Sequence, residues 1–341
     1  YSQTTKSGQL ETTISNSYYY NSNYQLYISE SINSKGDTIQ KKTWYPTDYD
    51  DISFGSISTL KAKYIQSLPI REDLIEAGKL KSSIIYAYNT NGKLLKRYQY
   101  TGTILPPPII HNPSAIDLSN YTQEEEIKYD ENDNLSEIKS TSGITKSYIW
   151  GYQSTLPIAF IENSEFSEVG FENFEDSNLN KSFTKLSSGQ IIDGGFGGNK
   201  QYSFTNSSLV KTGLVSGKSY VVEYWSTTGS LVINGSNGTL IKTKRGYNLF
   251  RHTLIPNENN EIIIVGDNII IDDLRLFPAN ANMISYSYKP LVGIISQTDA
   301  NNNNTFYNYD DFNRLSMISD EDQNIIKKIC YNYTGQTIMC Q

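Results

Sequence analysis

One short phrase recurs along this chain and constrains its fold more than any other feature. Near the C-terminus it reads Tyr309-Asp310-Asp311-Phe312-Asn313-Arg314-Leu315. Looser copies run Tyr129-Asp130-Glu131-Asn132-Asp133-Asn134-Leu135 and Tyr88-Asn89-Thr90-Asn91-Gly92-Lys93-Leu94. Each copy is a strand ending on tyrosine, a polar turn, and a second strand opening on leucine, which spells a β-hairpin. A single hairpin cannot bury its apolar face, so repeated units must stack on their neighbours. Repetition of this kind points to a scaffold rather than to a catalytic pocket.

The composition agrees. There are 27 tyrosines against 12 phenylalanines, and tyrosine suits a half-buried pleated surface because its ring packs while its hydroxyl reaches water or backbone. Asn, Ser, Thr and Gly fill the intervals, as many short turns require. Only Arg71 to Lys81 has a helix-like composition, and a polar hairpin turning at Ala77-Gly78 fits it equally well. The expectation is an all-β chain. Its 341 residues allow two or three domains. A net charge of -7 and a pI near 5.1 argue against a nucleic-acid binder, which would need a basic face to displace counterions. No apolar run of about 18 residues is present, so no membrane-spanning helix is expected, and no signal segment opens the chain. It begins at Tyr1 without an initiator methionine and reads as a piece of something longer.

Along the chain, Ser17 to Tyr45 alternates strand and turn, and Leu80 to Tyr100 is a hairpin turning at Asn91-Gly92. Asp48-Tyr49-Asp50-Asp51 reads as a solvated loop without the oxygen spacing of a calcium loop. Leu105-Pro106-Pro107-Pro108 reads as a stiff connector or edge. At about Asn163 the texture changes. From Gly170-Phe171-Glu172-Asn173-Phe174-Glu175 to Ile271-Asp272-Asp273-Leu274-Arg275-Leu276 there are about eight short strands in about 110 residues, the pattern of a β-sandwich. The tyrosine pattern returns at Tyr286-Ser287-Tyr288. The expected organisation is therefore a hairpin segment over 1–162, an inserted sandwich over 163–280, and a continuing hairpin segment over 281–341. Such an insertion belongs where the chain leaves and re-enters at neighbouring points.

Tyr309-Asp310-x-x-Asn313-Arg314-Leu315 with the later Asp320 resembles the YD repeat of RHS proteins, with asparagine where that repeat has glycine. Asparagine also enters the left-handed region, so the turn tolerates the exchange. Ser147-Tyr148-Ile149-Trp150-Gly151-Tyr152, Leu156-Pro157-Ile158-Ala159-Phe160-Ile161-Glu162 and Tyr288-Lys289-Pro290-Leu291-Val292-Gly293-Ile294 look like the YD-repeat region of large secreted proteins from bacteria with a type 9 secretion system. The insert resembles the galactose-binding-like jelly roll of carbohydrate-binding modules in its opening Gly-Phe-Glu-x-Phe-Glu and closing Ile-Asp-Asp-Leu-Arg-Leu. The resemblance implies a YD-repeat β-sheet spiral, in some relatives a hollow shell around a C-terminal toxin. It implies a secreted or cell-surface scaffold whose partners are further YD repeats of the same polypeptide, a glycan or surface protein, and components of the secretion machinery. Two alternatives stand beside it: part of a toxin-encapsulating RHS shell whose effector lies beyond Gln341, and cargo of the type 9 machinery.

Catalytic signals are few. His111 and His252 lie in different segments with no motif near either, and no Gly-x-Ser-x-Gly occurs, so the expectation is a non-enzymatic chain. In modules like the insert, an acid at each end holds a structural calcium; here Glu172 or Glu175 would meet Asp272 or Asp273, with a carbonyl from Gly197-Gly198. The same acids facing water is the other reading. For sugar stacking, Tyr224 and Trp225 are adjacent on a strand, so one is expected to face the core and the other outward; Tyr247, Phe250 and His252 are further candidates, against the reading that all are core or incidental surface rings. Cys330 and Cys340 are spaced either for a disulfide across a hairpin or as two unrelated thiols, and make a poor zinc site.

Overall fold

The computed structural model describes residues 2–7, 10–102, 111–179, 182–186 and 188–331, with side chains from residue 16 onward. The Leu105–Pro108 connector lies outside them. The fold is all-β with large antiparallel sheets and only short helical turns. It divides into two compact units, Tyr1–Lys128 with Lys139–Ser142, and Tyr129–Ile138 with Gly143–Gln341.

In the first unit each strand pairs antiparallel with the next, from Leu10–Tyr20 through Leu26–Ile32, Thr38–Trp44, Arg71–Glu76, Lys79–Tyr88 and Leu94–Tyr100 to Tyr121–Tyr129. The ambiguous stretch Arg71 to Lys81 is thus a hairpin. Ala77 and Gly78 both take positive φ at its tip, the geometry whose twist matches paired strands. A short helix, Ile57–Ala62, was not foreseen. Six residues with no capping hydrogen bond leave no helical period to read, and it holds its place by burying Ile57 and Leu60 beside Trp44, Tyr49, Ile70 and Tyr88.

The second unit contains an antiparallel frame and a sandwich. Thr145–Gly151 pairs Leu156–Glu162, which pairs directly with Asn282–Lys289; Gly293–Thr298, Asn304–Tyr309, Leu315–Asp320 and Ile325–Lys328 follow in order. Glu162 sits opposite Asn282, so the 119 residues between them occupy the place of a hairpin turn. The Asn163 side chain closes that mouth by donating to Asn280 O at 2.9 Å. Between these points lie two sheets. One runs Gly189–Asp193, Lys200–Phe204, Ile269–Pro278, Tyr220–Ser226, Tyr247–Leu254, Thr239–Lys244, with Gly170–Glu172 also on Ile269–Pro278. The other runs Thr184–Lys185, Ser207–Lys211, Ile262–Gly266, Val232–Ile233, Ser236–Asn237. Phe174, Tyr202, Phe204, Val222, Tyr224 and Ile264 are among the side chains filling the core between them.

The recurring phrase has a local physical cause. In the turn at Asp310, its N–H donates to Arg314 O, Asn313 N–H returns to Asp310 O, and the Asp310 carboxylate accepts the N–H groups of Phe312 and Arg314, each at 2.9 Å. The fourth residue, Asn313, has φ 57°. This is a type I turn closed by a left-handed bulge residue and capped by its first side chain. The same bonds recur at Asn21, Asn33, Asn89, Asp130, Asp299 and Asp320. The fourth position is Tyr24, Gly36, Gly92, Asp133, Asn302 or Gln323 respectively, always at positive φ. The acid of the phrase is therefore a backbone cap, and asparagine serves as well. Tyrosine hydroxyls then stitch successive hairpins: Tyr88 donates to Pro69 O, Tyr288 to Pro157 O and Tyr309 to Ile294 O, at 2.7–2.9 Å. Gly293 has no side chain because the Tyr309 hydroxyl occupies the place its Cβ would take.

Candidate functional site

The central strand Tyr220–Ser226 decides what the sandwich can present. Alternation sends Tyr220, Val222 and Tyr224 into the sandwich core and Val221, Glu223 and Trp225 to the opposite face. That face is covered by the frame. Val221 packs against the cluster of Ile149, Ile158, Phe171, Phe277 and Met283. Trp225 stacks on Phe196 with ring centroids 3.8 Å apart, and Phe196 meets the frame residue Phe306 edge-on at 5.9 Å. The expectation that one of Tyr224 and Trp225 faces outward is thus corrected, because their relative exposures are 0% and 1%. Tyr224 accepts the Leu231 N–H at 2.7 Å and lies 3.1 Å from His252 Nε2. Burial pulls the His252 pKa down to about 4, which keeps the ring neutral. Tyr247 is half-buried, donating to Gln201 at 3.1 Å and edge-on to Phe196, while Phe250 stacks on Tyr224. These rings do not form one outward platform.

Two of the four candidate calcium ligands, Asp272 and Glu175, accept amides of the glycine loop, and Asp273 lies against Gly197. Asp272 takes the N–H groups of Phe196 and Gly197 at 2.6 and 3.0 Å, and Glu175 takes those of Asn199 and Lys200 at 2.6 and 2.8 Å. Gly198 lies so close to Glu175 Oε1 that a Cβ there would overlap it. Burial, reinforced by Asp273, pushes the Asp272 carboxyl well above its ordinary range; burial and then Glu175 do the same to Asp273, against the pull of Arg275. Glu172 is buried, and its charge is felt by Tyr202. Among the described residues no group of three or more His, Cys, Asp or Glu is placed to hold a metal. The loop amides take up one oxygen of each of these carboxylates, Asp272 Oδ2 and Glu175 Oε1. For the cysteine pair, Cys340 lies outside the described residues.

What sequence reasoning missed is the polar seam between sandwich and frame. Arg275, 2% exposed, leaves the sandwich strand Ile269–Pro278 and enters a frame turn. It donates to Asn302 Oδ1, Met283 O and, at 3.4 Å, Asp299 O. Its charge faces Glu223 at 3.6 Å, while Glu223 is held by Arg251 at 2.5 Å. Ser296 donates to Gly197 O, Asn173 reaches Ser287 at 3.3 Å, and Lys242 bridges to Asn302 O and Glu321, both at 2.7 Å. A cleft of about 490 Å³ also opens in this unit, lined by the Asp130–Asn132 turn, Trp150, Phe166, Asp176–Leu179 and Lys211. Trp150 stood in a phrase read only for its resemblance, and Lys211 carried no sequence signal.

The chain matches no protein-family model and none of the curated proteins. Among solved structures, it is 12% identical to a chain of the Photorhabdus luminescens Tc holotoxin pore, covering 94% of this chain and 12% of that one, with a TM-score of 0.24. It is 11% identical to an exo-β-1,3-galactanase from Phanerochaete chrysosporium solved with β-1,3-galactotriose, over 78% of each chain, with a TM-score of 0.23. A TcdB2-TccC3-TEV structure is 11% identical over 95% of this chain and 15% of that one, with a TM-score of 0.16. The chain thus spans only a small part of the Tc toxin chains it resembles. Likeness at this level carries no argument about activity.

Proposed function

We propose that this chain is a non-enzymatic, exported β scaffold: a segment of a YD-repeat frame of the RHS kind in which the sandwich is a fixed projection. The observation that carries this reading is the burial of the strand Tyr220–Ser226 on both faces, one by the sandwich and one by the frame. A binding module on a flexible tether would keep its outer sheet face solvated. Here that face is anchored by aromatic stacking, a buried arginine and lysine bridges, so the insert adds shape and stiffness to the frame. The repeated capped turn and the tyrosine stitches support the same role, since they supply rigidity and surface rather than reactive groups. In this reading the partners are further repeats of the same polypeptide, with a glycan, a surface protein or secretion components contacting the outer surface. Enclosure of an effector, the shell version of the proposal, requires a longer product that carries one.

Hydrogen exchange on the full chain tests the fixed projection. Amides of Tyr220–Ser226 and of the frame strand Asn304–Tyr309 are expected to lose protection together as urea is raised. Residues 163–280 opening as a separate unit, with the frame still protected, would contradict the proposal.

A further inference from the structure

The cleft beside the frame holds a feature that the scaffold role leaves unused. Lys211 ends the strand Ser207–Lys211 and lines the cleft with only 9% of its surface exposed. Its backbone pairs with Ile262, and among the described residues its ammonium has no hydrogen-bond or ion-pair partner. Asp130, Glu131 and Asp176 line the same cleft, yet burial is the sole cause acting on the Lys211 pKa, which it pulls down to about 8. Two of these carboxylates are occupied elsewhere: Asp130 caps its own turn, and Asp176 accepts the Gln153 N–H at 3.2 Å. Buried ammonium groups are normally paired, because desolvation is costly without an anion. The remaining walls are carbon-rich, with Ile149, Trp150, Phe166, Val169 and Leu179, and Asn132, Gln153 and Ser154 add neutral polar groups.

The geometry points to this cleft as a binding site for a small ring-bearing monocarboxylate, its carboxylate on Lys211 and its ring against Trp150 and Leu179. The volume falls within the range of about 300–1,000 Å³ typical of small-molecule sites. A single cation among three carboxylates selects one negative charge and disfavours polyphosphates and other polyanions. The same chemistry is offered by a uronic acid unit of an acidic polysaccharide and by a free aromatic acid. In the uronate case the ring hydroxyls would find acceptors in the rim carboxylates. The inference stands independently of the scaffold reading, which holds whether or not the cleft is filled.

Isothermal titration of the full chain with glucuronate, benzoate and neutral glucose, each to about 10 mM, tests it. At least one acid is expected to saturate while glucose does not; which acid binds identifies the source. At about pH 8 binding should take up roughly half a proton, read by comparing buffers of different ionisation enthalpy, because the anion favours the charged amine. Lys211→Met should weaken the acid about tenfold to a hundredfold without lowering the unfolding temperature, since it removes an unpaired buried charge. Lys211→Arg should bind without proton uptake. Equal affinity in Lys211→Met, equal binding of glucose, or no saturation by either acid would overturn the proposal.

Discussion

Arg275 gives the strongest test of how the sandwich is held. In Arg275→Met the stem of the side chain is preserved and the guanidinium is lost. Three buried acceptors, Asn302 Oδ1, Met283 O and Asp299 O, then lose their donor, at about 1 kcal/mol each. Glu223, 0% exposed, loses its second cation and keeps only Arg251. Breaking one side of a buried pair costs about 3–5 kcal/mol, and the sum of lost hydrogen bonds falls at the lower end of that range. At roughly 2–4 °C per kcal/mol for a unit of about 200 residues, the unfolding midpoint should fall by roughly 6–20 °C. The companion variant Glu223→Gln closes a double-mutant cycle. On the Arg275→Met background it should cost at least about 1 kcal/mol less than on the parent, because the charge it removes has already lost a partner. Urea unfolding followed by circular dichroism gives the energies, and hydrogen exchange reports where protection is lost. The reasoning fails if Arg275→Met costs under about 1 kcal/mol. It fails equally if only sandwich amides respond while Asn304–Tyr309 keeps the parent's protection.

Two further substitutions probe the local rules. In Asn89→Ala the N–H groups of Asn91 and Lys93 lose a 2.9 Å acceptor; stability should drop by about 1–3 kcal/mol in urea unfolding. Asn89→Asp should stay within about 0.5 kcal/mol, because aspartate caps the equivalent turn at Asp130; an equal loss in both variants would refute the capping account. Asp273 is a raised carboxyl, so its folded form binds the proton more tightly than its unfolded form. Its contribution is most favourable at low pH and is lost as pH rises through the raised folded value. Asp273→Asn should therefore match the parent only below the ordinary aspartate range, at about pH 3.5, and exceed its unfolding temperature by a growing margin up to about pH 8. A lower unfolding temperature at both values, sensitive to a chelator, would instead place a cation between Glu175 and Asp273.

The sequence showed strands and turns well because their causes are local. The capped turn lies within five residues, so Asn89, Asp130 and Asp310 display it in full. Its other occurrences were less visible: Asp299 and Asp320 lack a preceding tyrosine, yet make the same bonds. The seam was not legible. Alternation around Trp225 correctly assigned opposite faces to neighbours, but what covers the second face is Phe196 and, beyond it, Phe306, 81 positions downstream. Arg275 within Ile-Asp-Asp-Leu-Arg-Leu carries no sign that its acceptors lie in a turn at Asp299–Asn302. The acids Glu175 and Asp272 do lie at the glycine loop, but the sequence does not show that its amides donate to them.

That the seam is assembled from distant residues bears on function directly. A sheet with one solvated face can acquire a ligand platform by exchanging surface rings, and its frame would be unaffected. In this chain the corresponding face carries Val221, Glu223 and Trp225, all in contact with residues that also hold the frame. Any change there alters stability before it alters recognition. On the scaffold reading, recognition would fall to surfaces outside the seam, and the Lys211 cleft joins a carbon-lined volume to a largely buried lysine whose ammonium has no partner among the described residues.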